Sequence, residues 1–114
     1  MTGPVCDFCN EPTSTWRYPT RDFVLVLDGR PKPSRAVDLS GGWWCCDRCH
    51  PYVEAKQYDE LSRHTYAKWA AEQVVPPGRD VARAVRATHG DMYGAFDRNR
   101  CGEPTRYVRR AAVS

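Results

Sequence analysis

The spacing of hydrophobic positions along the chain changes character near residue 47. Before it, Thr15-Trp16-Arg17-Tyr18 and Phe23-Val24-Leu25-Val26-Leu27 are short runs rich in aromatic and β-branched residues, separated by Pro19, and predict strands. Asp28-Gly29-Arg30-Pro31-Lys32-Pro33-Ser34 is a turn cluster whose Asp-Gly pair favours chain reversal, so Arg35 to Leu39 is expected to return as a further strand. Ser40-Gly41-Gly42 turns the chain again, and Trp43-Trp44 leads directly into Cys45-Cys46-Asp47-Arg48-Cys49.

From Asp47 onward the period is helical. Asp47 is a candidate cap for a helix with Cys49 in its first turn, where Pro51 is tolerated because early positions have no intrahelical use for their N–H. Asp59-Glu60 opens a second helix, with Leu61, His64, Thr65, Lys68, Trp69 and Glu72 at helical spacing; Val74-Val75-Pro76-Pro77-Gly78 ends it. Asp80 is a candidate cap for a third, on which Val81, Val85, Thr88, Met92, Tyr93 and Phe96 fall near one stripe. Gly90 predicts a bend or a fresh start at Asp91. Beyond Arg98 no periodicity remains, and an irregular tail is expected.

With 114 residues, the chain has the length of one domain. Hydrophobic residues at 41% and charged residues at 27% place it among ordinary globular chains rather than disordered ones. The reading is an α+β fold, with residues 1–75 a metal-binding module with a helical extension and residues 76–114 a helix and basic tail of the same compact unit. The longest apolar run, Phe23 to Leu27, is far too short to cross a bilayer. The N-terminus joins no basic stretch to an apolar one, so a cytoplasmic location is expected.

Six cysteines change the picture. In a reducing compartment thiols stay free, and metal binding is a better reading than disulfides. Cys6 and Cys9 form one C-x-x-C pair, and Cys46 and Cys49 a second, 36 residues further on. Two such pairs complete a tetrahedral site for one ion about 2.3 Å from each sulfur. Soft thiolates at that geometry select Zn²⁺, with iron as the competitor. All coordination positions would be protein sulfur, leaving none for an activated water, so the expected role is structural. Cys45 and Cys46 are adjacent and point differently, so only one reaches the metal; the two-residue spacing favours Cys46 and leaves Cys45 a packed thiol beside Trp44. His50 could replace a sulfur but reads better as a polar cap over the site, and Cys101 stands alone without a base.

A turn carrying one C-x-x-C, a β-hairpin, and a second C-x-x-C entering a helix give the chain an order that resembles a treble-clef zinc finger. A zinc ribbon shares the two pairs but places the second in another hairpin. Residues 1–62 are also similar to short zinc-finger proteins of actinobacteria and their phages. The matching stretches are Cys6-Asp7-Phe8-Cys9, Trp16-Arg17-Tyr18-Pro19, Arg21-Asp22-Phe23, Gly42-Trp43, Cys46-Asp47-x-Cys49-His50, Glu54-Ala55 and Asp59-x-Leu61. In that pattern the place of Cys45 is often a small residue, which again favours Cys46. The resemblance implies the metal site and carries no activity across; small proteins of this build often bind the host transcription or translation apparatus.

Net charge is +3, and its distribution says more than its sum. Residues 1–75 carry 9 Lys+Arg against 10 Asp+Glu, residues 76–97 carry 3 against 3, and residues 98–114 carry 5 against 1. The excess is Arg98, Arg100, Arg106, Arg109 and Arg110, with Tyr107 among them. These residues suit phosphate contact and stacking, or docking on an acidic protein surface. Of Trp43 and Trp44, which face opposite ways in an extended chain, one is the candidate anchor for a partner. The expected function is non-enzymatic recognition of a macromolecular partner, with no membrane and no small-molecule substrate; direct DNA or RNA binding through the C-terminal arginines is the alternative. A metal-dependent nuclease is the weakest reading, since His50, His64 and His89 are scattered and form no recognisable reacting set.

Overall fold

A computed structural model of the chain describes residues 4–27, 35–38 and 41–107. The element order is β1 (Trp16–Tyr18), β2 (Val24–Leu27), β3 (Arg35–Asp38), β4 (Trp43–Cys45), α1 (His50–Glu54), α2 (Tyr58–Ala71), α3 (Arg79–Asn99) and β5 (Thr105–Arg106). β1 is the centre of a three-stranded antiparallel sheet in the order β4-β1-β5, and β2 and β3 form a separate antiparallel ribbon. The ribbon is therefore an excursion between two paired strands. The Asp28-Gly29 turn expected at its tip lies outside the described residues.

Register explains the two faces of the sheet. Trp16 pairs with Cys45 and Arg106, Arg17 with Trp44 and Thr105, and Tyr18 with Trp43. Directly opposed residues share a face, so Trp16, Tyr18, Trp43 and Cys45 point one way and Arg17, Trp44 and Thr105 the other. On the first face Tyr18, Trp43 and Cys45 are buried. At the entry to β4, Gly42 has φ +86°, and a Cβ there would stand 2.7 Å from the Tyr18 carbonyl oxygen, so only glycine fits.

The core is an aromatic cluster built around Phe8, from the loop between the first two cysteines. Its ring lies 5.1 Å from Trp43, 5.3 Å from Tyr93 and 5.1 Å from Phe96, and Phe96 also meets Trp43 at 5.0 Å and Tyr18 at 5.6 Å. Such tilted and edge-on contacts suit the ring quadrupoles. Tyr93 and Phe96 belong to α3, so residues after the Pro76-Pro77 break stand in the same core as the first C-x-x-C loop. Tyr93 adds a hydrogen bond from its hydroxyl to the Phe8 carbonyl at 2.8 Å.

Several local expectations change. Asp47 does not cap α1: its Oδ1 accepts from the Thr15 hydroxyl at 2.7 Å, and Cys49 is the N-cap without a side-chain bond. α1 keeps Pro51 at its start, as its missing N–H allows. α3 begins at Arg79 after Gly78, with Asp80 in its first turn, and runs unbroken through Gly90. Packing of its stripe on α2 and the aromatic core holds the helix against the roughly 1 kcal/mol that a mid-helix glycine costs. Val81 is 51% exposed, and the inward position falls to Ala82 instead. The tail is not irregular throughout. Thr20 bridges Arg100, the Cys101 N–H reaches the Pro19 carbonyl at 3.1 Å, and Thr105–Arg106 completes the sheet as an edge strand. A two-residue strand is too short to show an alternation in sequence.

Candidate metal centre

Each cysteine pair sits in a tight turn closed by its own backbone. In the first, the Asn10 N–H donates to the Cys6 carbonyl at 2.9 Å, and Asn10 takes φ 65°, a left-handed conformation that asparagine tolerates better than most residues. In the second, the His50 N–H donates to the Cys46 carbonyl at 3.1 Å, and the chain continues straight into α1 through Val53 N–H to Cys49 carbonyl at 3.1 Å. The two turns are tied across β4. The Asp7 N–H donates to the Trp44 carbonyl at 2.9 Å, and the Trp44 N–H donates back to Asp7 Oδ2 at 2.7 Å.

This scaffold brings the Sγ atoms of Cys6, Cys9, Cys46 and Cys49 within 4.8 Å of one another, all buried. Cys9 and Cys46 are 3.6 Å apart. A tetrahedral ion with metal–sulfur bonds of about 2.3 Å requires sulfurs roughly 3.8 Å apart, so the donor set and its spacing fit one metal ion. The cysteines are free thiols, not disulfides. Among themselves they share protons unequally. Hydrogen bonds, first from Cys45 and then from Cys46, hold the Cys6 thiol far below its usual range, and one from Cys49 lowers Cys46 to about 7. Cys9 and Cys49 are pushed up, chiefly by hydrogen bonding to Cys46. A divalent ion would replace those protons and hold all four sulfurs as thiolates.

Cys45 is not part of this set. It lies on the inner sheet face, its thiol 3.4 Å from the Cys46 carbonyl, with hydrogen bonding to Cys6 pushing its pKa up. His50 is also outside the set. Its ring stacks on Trp16 at 3.9 Å and 6°, its Nδ1 lies 2.6 Å from the Tyr18 hydroxyl, and burial holds its pKa down. Tyr18 in turn donates to Glu54 Oε1 at 3.2 Å, which joins β1 to α1.

The residues expected to meet a partner separate into distinct groups. Trp43 is withdrawn from that role: it is 1% exposed and packed on Phe8 and Phe96, because its register partner Tyr18 faces the core. Trp44 is the partly exposed member of the pair, with the Arg17 guanidinium 4.7 Å above its ring and Tyr107 edge-on at 5.0 Å. Arg100 is also corrected. Its side chain is 16% exposed, lies 4.7 Å over the Tyr18 ring and pairs with Glu54 at 3.5 Å, so it serves the fold. Arg106 is exposed at the sheet edge, over Trp16 at 5.2 Å and 3.5 Å from Asp47. Arg98 is exposed at the end of α3, where its carbonyl accepts from Arg21 at 2.6 Å. Arg109 and Arg110 lie outside the described residues. Cys101 is exposed.

Arg17 is the member of this surface that sequence reasoning missed. Its signal was available in the strand alternation of Trp16-Arg17-Tyr18, which sets Arg17 opposite to the two aromatics. Among the described residues no helix is long and apolar enough to cross a membrane. Comparison of the chain with protein-family models, with curated proteins and with solved structures gives no match in any of the three.

Proposed function

We propose that the chain is a non-enzymatic zinc-finger binding module, in which one structural Zn²⁺ on Cys6, Cys9, Cys46 and Cys49 fixes a small scaffold that recognises a macromolecular partner. The observation that carries this reading is the cluster of four buried Sγ atoms within 4.8 Å. Four sulfur ligands suit Zn²⁺ by softness and geometry, and a closed set offers no position for a substrate or an activated water. The second C-x-x-C enters a helix rather than a hairpin, which favours a treble-clef arrangement over a zinc ribbon. The recognition surface combines Trp44, Arg17 and Tyr107 on one face of the sheet, residue types enriched at binding hot spots. A large assembly such as the transcription or translation apparatus is the kind of partner that the family resemblance implies.

Two measurements test the reading. Elemental analysis of untagged protein is expected to give about one equivalent of zinc, lost in Cys6→Ser and Cys49→Ser variants. Removal of the metal by a chelator is expected to collapse the circular dichroism signal, because structural zinc contributes on the order of 10–16 kcal/mol in apparent terms, as much as a whole domain's stability. A coloured, iron-containing protein, or an unchanged spectrum after complete metal removal, would overturn it.

A further inference from the structure

The four clustered sulfurs are not equally sheltered. Cys6 and Cys49 are 0% exposed, whereas Cys46 is 3% and Cys9 7% exposed, and these last two stand 3.6 Å apart, sulfur to sulfur. They come from different turns, since Cys9 closes the first C-x-x-C and Cys46 opens the second. A cavity of about 260 Å³ lies against the second turn, lined by Cys46 together with Glu11, Thr13, Thr15, Asp47 and Arg48. Of the four clustered cysteines, it is Cys46 that this cavity reaches. Its lining is polar apart from the thiol, and at roughly 30 Å³ for each water it has room for several small polar molecules.

We propose that Cys46 and Cys9 are a peroxide-reactive pair: hydrogen peroxide entering this cavity oxidises Cys46, and Cys9 resolves the product as a disulfide between the two turns. The inference rests on the reading of the cluster as a zinc site and adds a modification to two of its sulfurs.

The chemistry follows from the state of the sulfurs. Metal binding holds them as thiolates, the nucleophilic form, and oxidation selects a thiolate that is accessible and stands beside a second sulfur. The Cys46 thiolate attacks one peroxide oxygen, the O–O bond breaks, and Cys46 becomes a sulfenic acid as hydroxide leaves. The Cys9 thiolate then attacks the sulfenic sulfur, the S–O bond breaks, and a second hydroxide leaves. Two thiolates and one hydrogen peroxide thus give one disulfide and two hydroxide ions, with two electrons passing from sulfur to oxygen. The sulfurs have to close from 3.6 Å to about 2.05 Å, and the turns that carry them are already tied by the Asp7 N–H on the Trp44 carbonyl at 2.9 Å. A disulfide within either C-x-x-C would instead need Cys6 or Cys49, the two sulfurs without exposed surface. Once Cys9 and Cys46 are joined they are no longer thiolates, so the metal keeps only two of its four ligands and is released.

The test uses the full zinc-loaded chain treated with hydrogen peroxide, with released zinc followed by a metal-sensitive dye. Free thiols are then blocked and the unreduced chain is cut before its aspartates. That cleavage places Cys6 in residues 1–6, Cys9 in 7–21, Cys45 and Cys46 in 38–46, Cys49 in 47–58 and Cys101 in 97–114. Zinc and disulfide are expected to appear in equal amounts, with 7–21 linked to 38–46 and peptide fragmentation between the adjacent cysteines placing the bond on Cys46. A thiol reductant should restore the free cysteines and zinc binding. Thr13→Trp, at the exposed rim of the cavity, should slow peroxide-driven zinc release severalfold at unchanged zinc content. Arg48→Trp, on the same lining, takes its place if Thr13→Trp alters zinc content.

The exposed Cys101, outside the cluster, reports in the same molecules that oxidant was sufficient. Zinc retained after Cys101 is oxidised overturns the inference. So does any linkage other than Cys9 with Cys46, and so does a release rate unchanged in a cavity variant that binds zinc normally. In those cases the zinc-scaffold reading stands; protein purified without zinc removes that reading as well.

Discussion

Asn10 and Lys56 hold left-handed backbone without being glycine, at φ 65° and 55°. For Lys56 the reason is the end of α1. Its N–H donates to the Val53 carbonyl at 3.1 Å and the Gln57 N–H to the Tyr52 carbonyl at 2.8 Å, the two bonds that close a Schellman cap, where glycine is the usual occupant. Lys56→Gly is therefore expected to raise stability by about 0.5–1 kcal/mol, read as a higher urea midpoint at unchanged slope. Gly42→Ala should do the reverse, by about 1–3 kcal/mol, since it meets both a positive φ and the Tyr18 carbonyl.

His89 gives a pH dependence. Burial holds its imidazole below the ordinary value of 6.5, so the unfolded chain takes up this proton at higher pH than the folded one. The contribution is complete above about 6.5 and is lost as pH falls from there through the folded value. The urea midpoint should drop on acidification, and drop less in His89→Gln, with zinc content followed in both. At this scale the clustering of Cys6, Cys9, Cys46 and Cys49 was legible, because two C-x-x-C pairs have the spacing of a tetrahedral sulfur set. Which tryptophan faces outward was not, because alternation separates Trp43 from Trp44 without saying which lies opposite the buried Tyr18.

α3 shows how an element acquires a second duty. One turn of it meets α2 and the first cysteine loop together: the Tyr93 hydroxyl donates to the Phe8 carbonyl at 2.8 Å and lies 2.9 Å from Thr65 Oγ1, with His89 stacked on the Tyr93 ring at 5.8 Å. Tyr93→Phe keeps the ring and removes the hydroxyl. It should cost about 1–3 kcal/mol, the penalty for a buried carbonyl left without its donor, and should speed zinc loss to a competing chelator because the Phe8 loop carries Cys6 and Cys9. The helix itself was legible from its apolar stripe. Its continuity through Gly90 was not, because packing on both sides of that residue overrides the local preference. β5 was invisible for a different reason: its pairing is supplied by the chain of β1, and nothing in Thr105-Arg106 alone announces a strand.

For the molecule as a whole, cysteine cluster and core are one structure. Phe8 lies between Cys6 and Cys9 in sequence and at the centre of the aromatic cluster in space, so disrupting the cysteine cluster would free the residue on which Trp43, Tyr93 and Phe96 converge. The α+β character and the Cys₄ set could be read from sequence, since each follows from local pattern. The route by which Thr105–Arg106 return to the sheet could not, because it depends on pairing with β1, nearly ninety residues earlier in sequence.

Tyr18 and Trp43 are neighbours across one strand pair with the β2–β3 ribbon between them in sequence, so the chain that leaves the sheet after Tyr18 comes back to nearly the same point at Trp43. The interval between the cysteine pairs is thus slack rather than a ruler. Ring-closure cost grows only logarithmically with contour length, so related chains are free to differ widely in that interval while the sulfurs keep their places. Kinship would then be written in the pairing of Trp16-Arg17-Tyr18 with Trp43-Trp44-Cys45, and a template demanding a fixed gap would pass such cousins by.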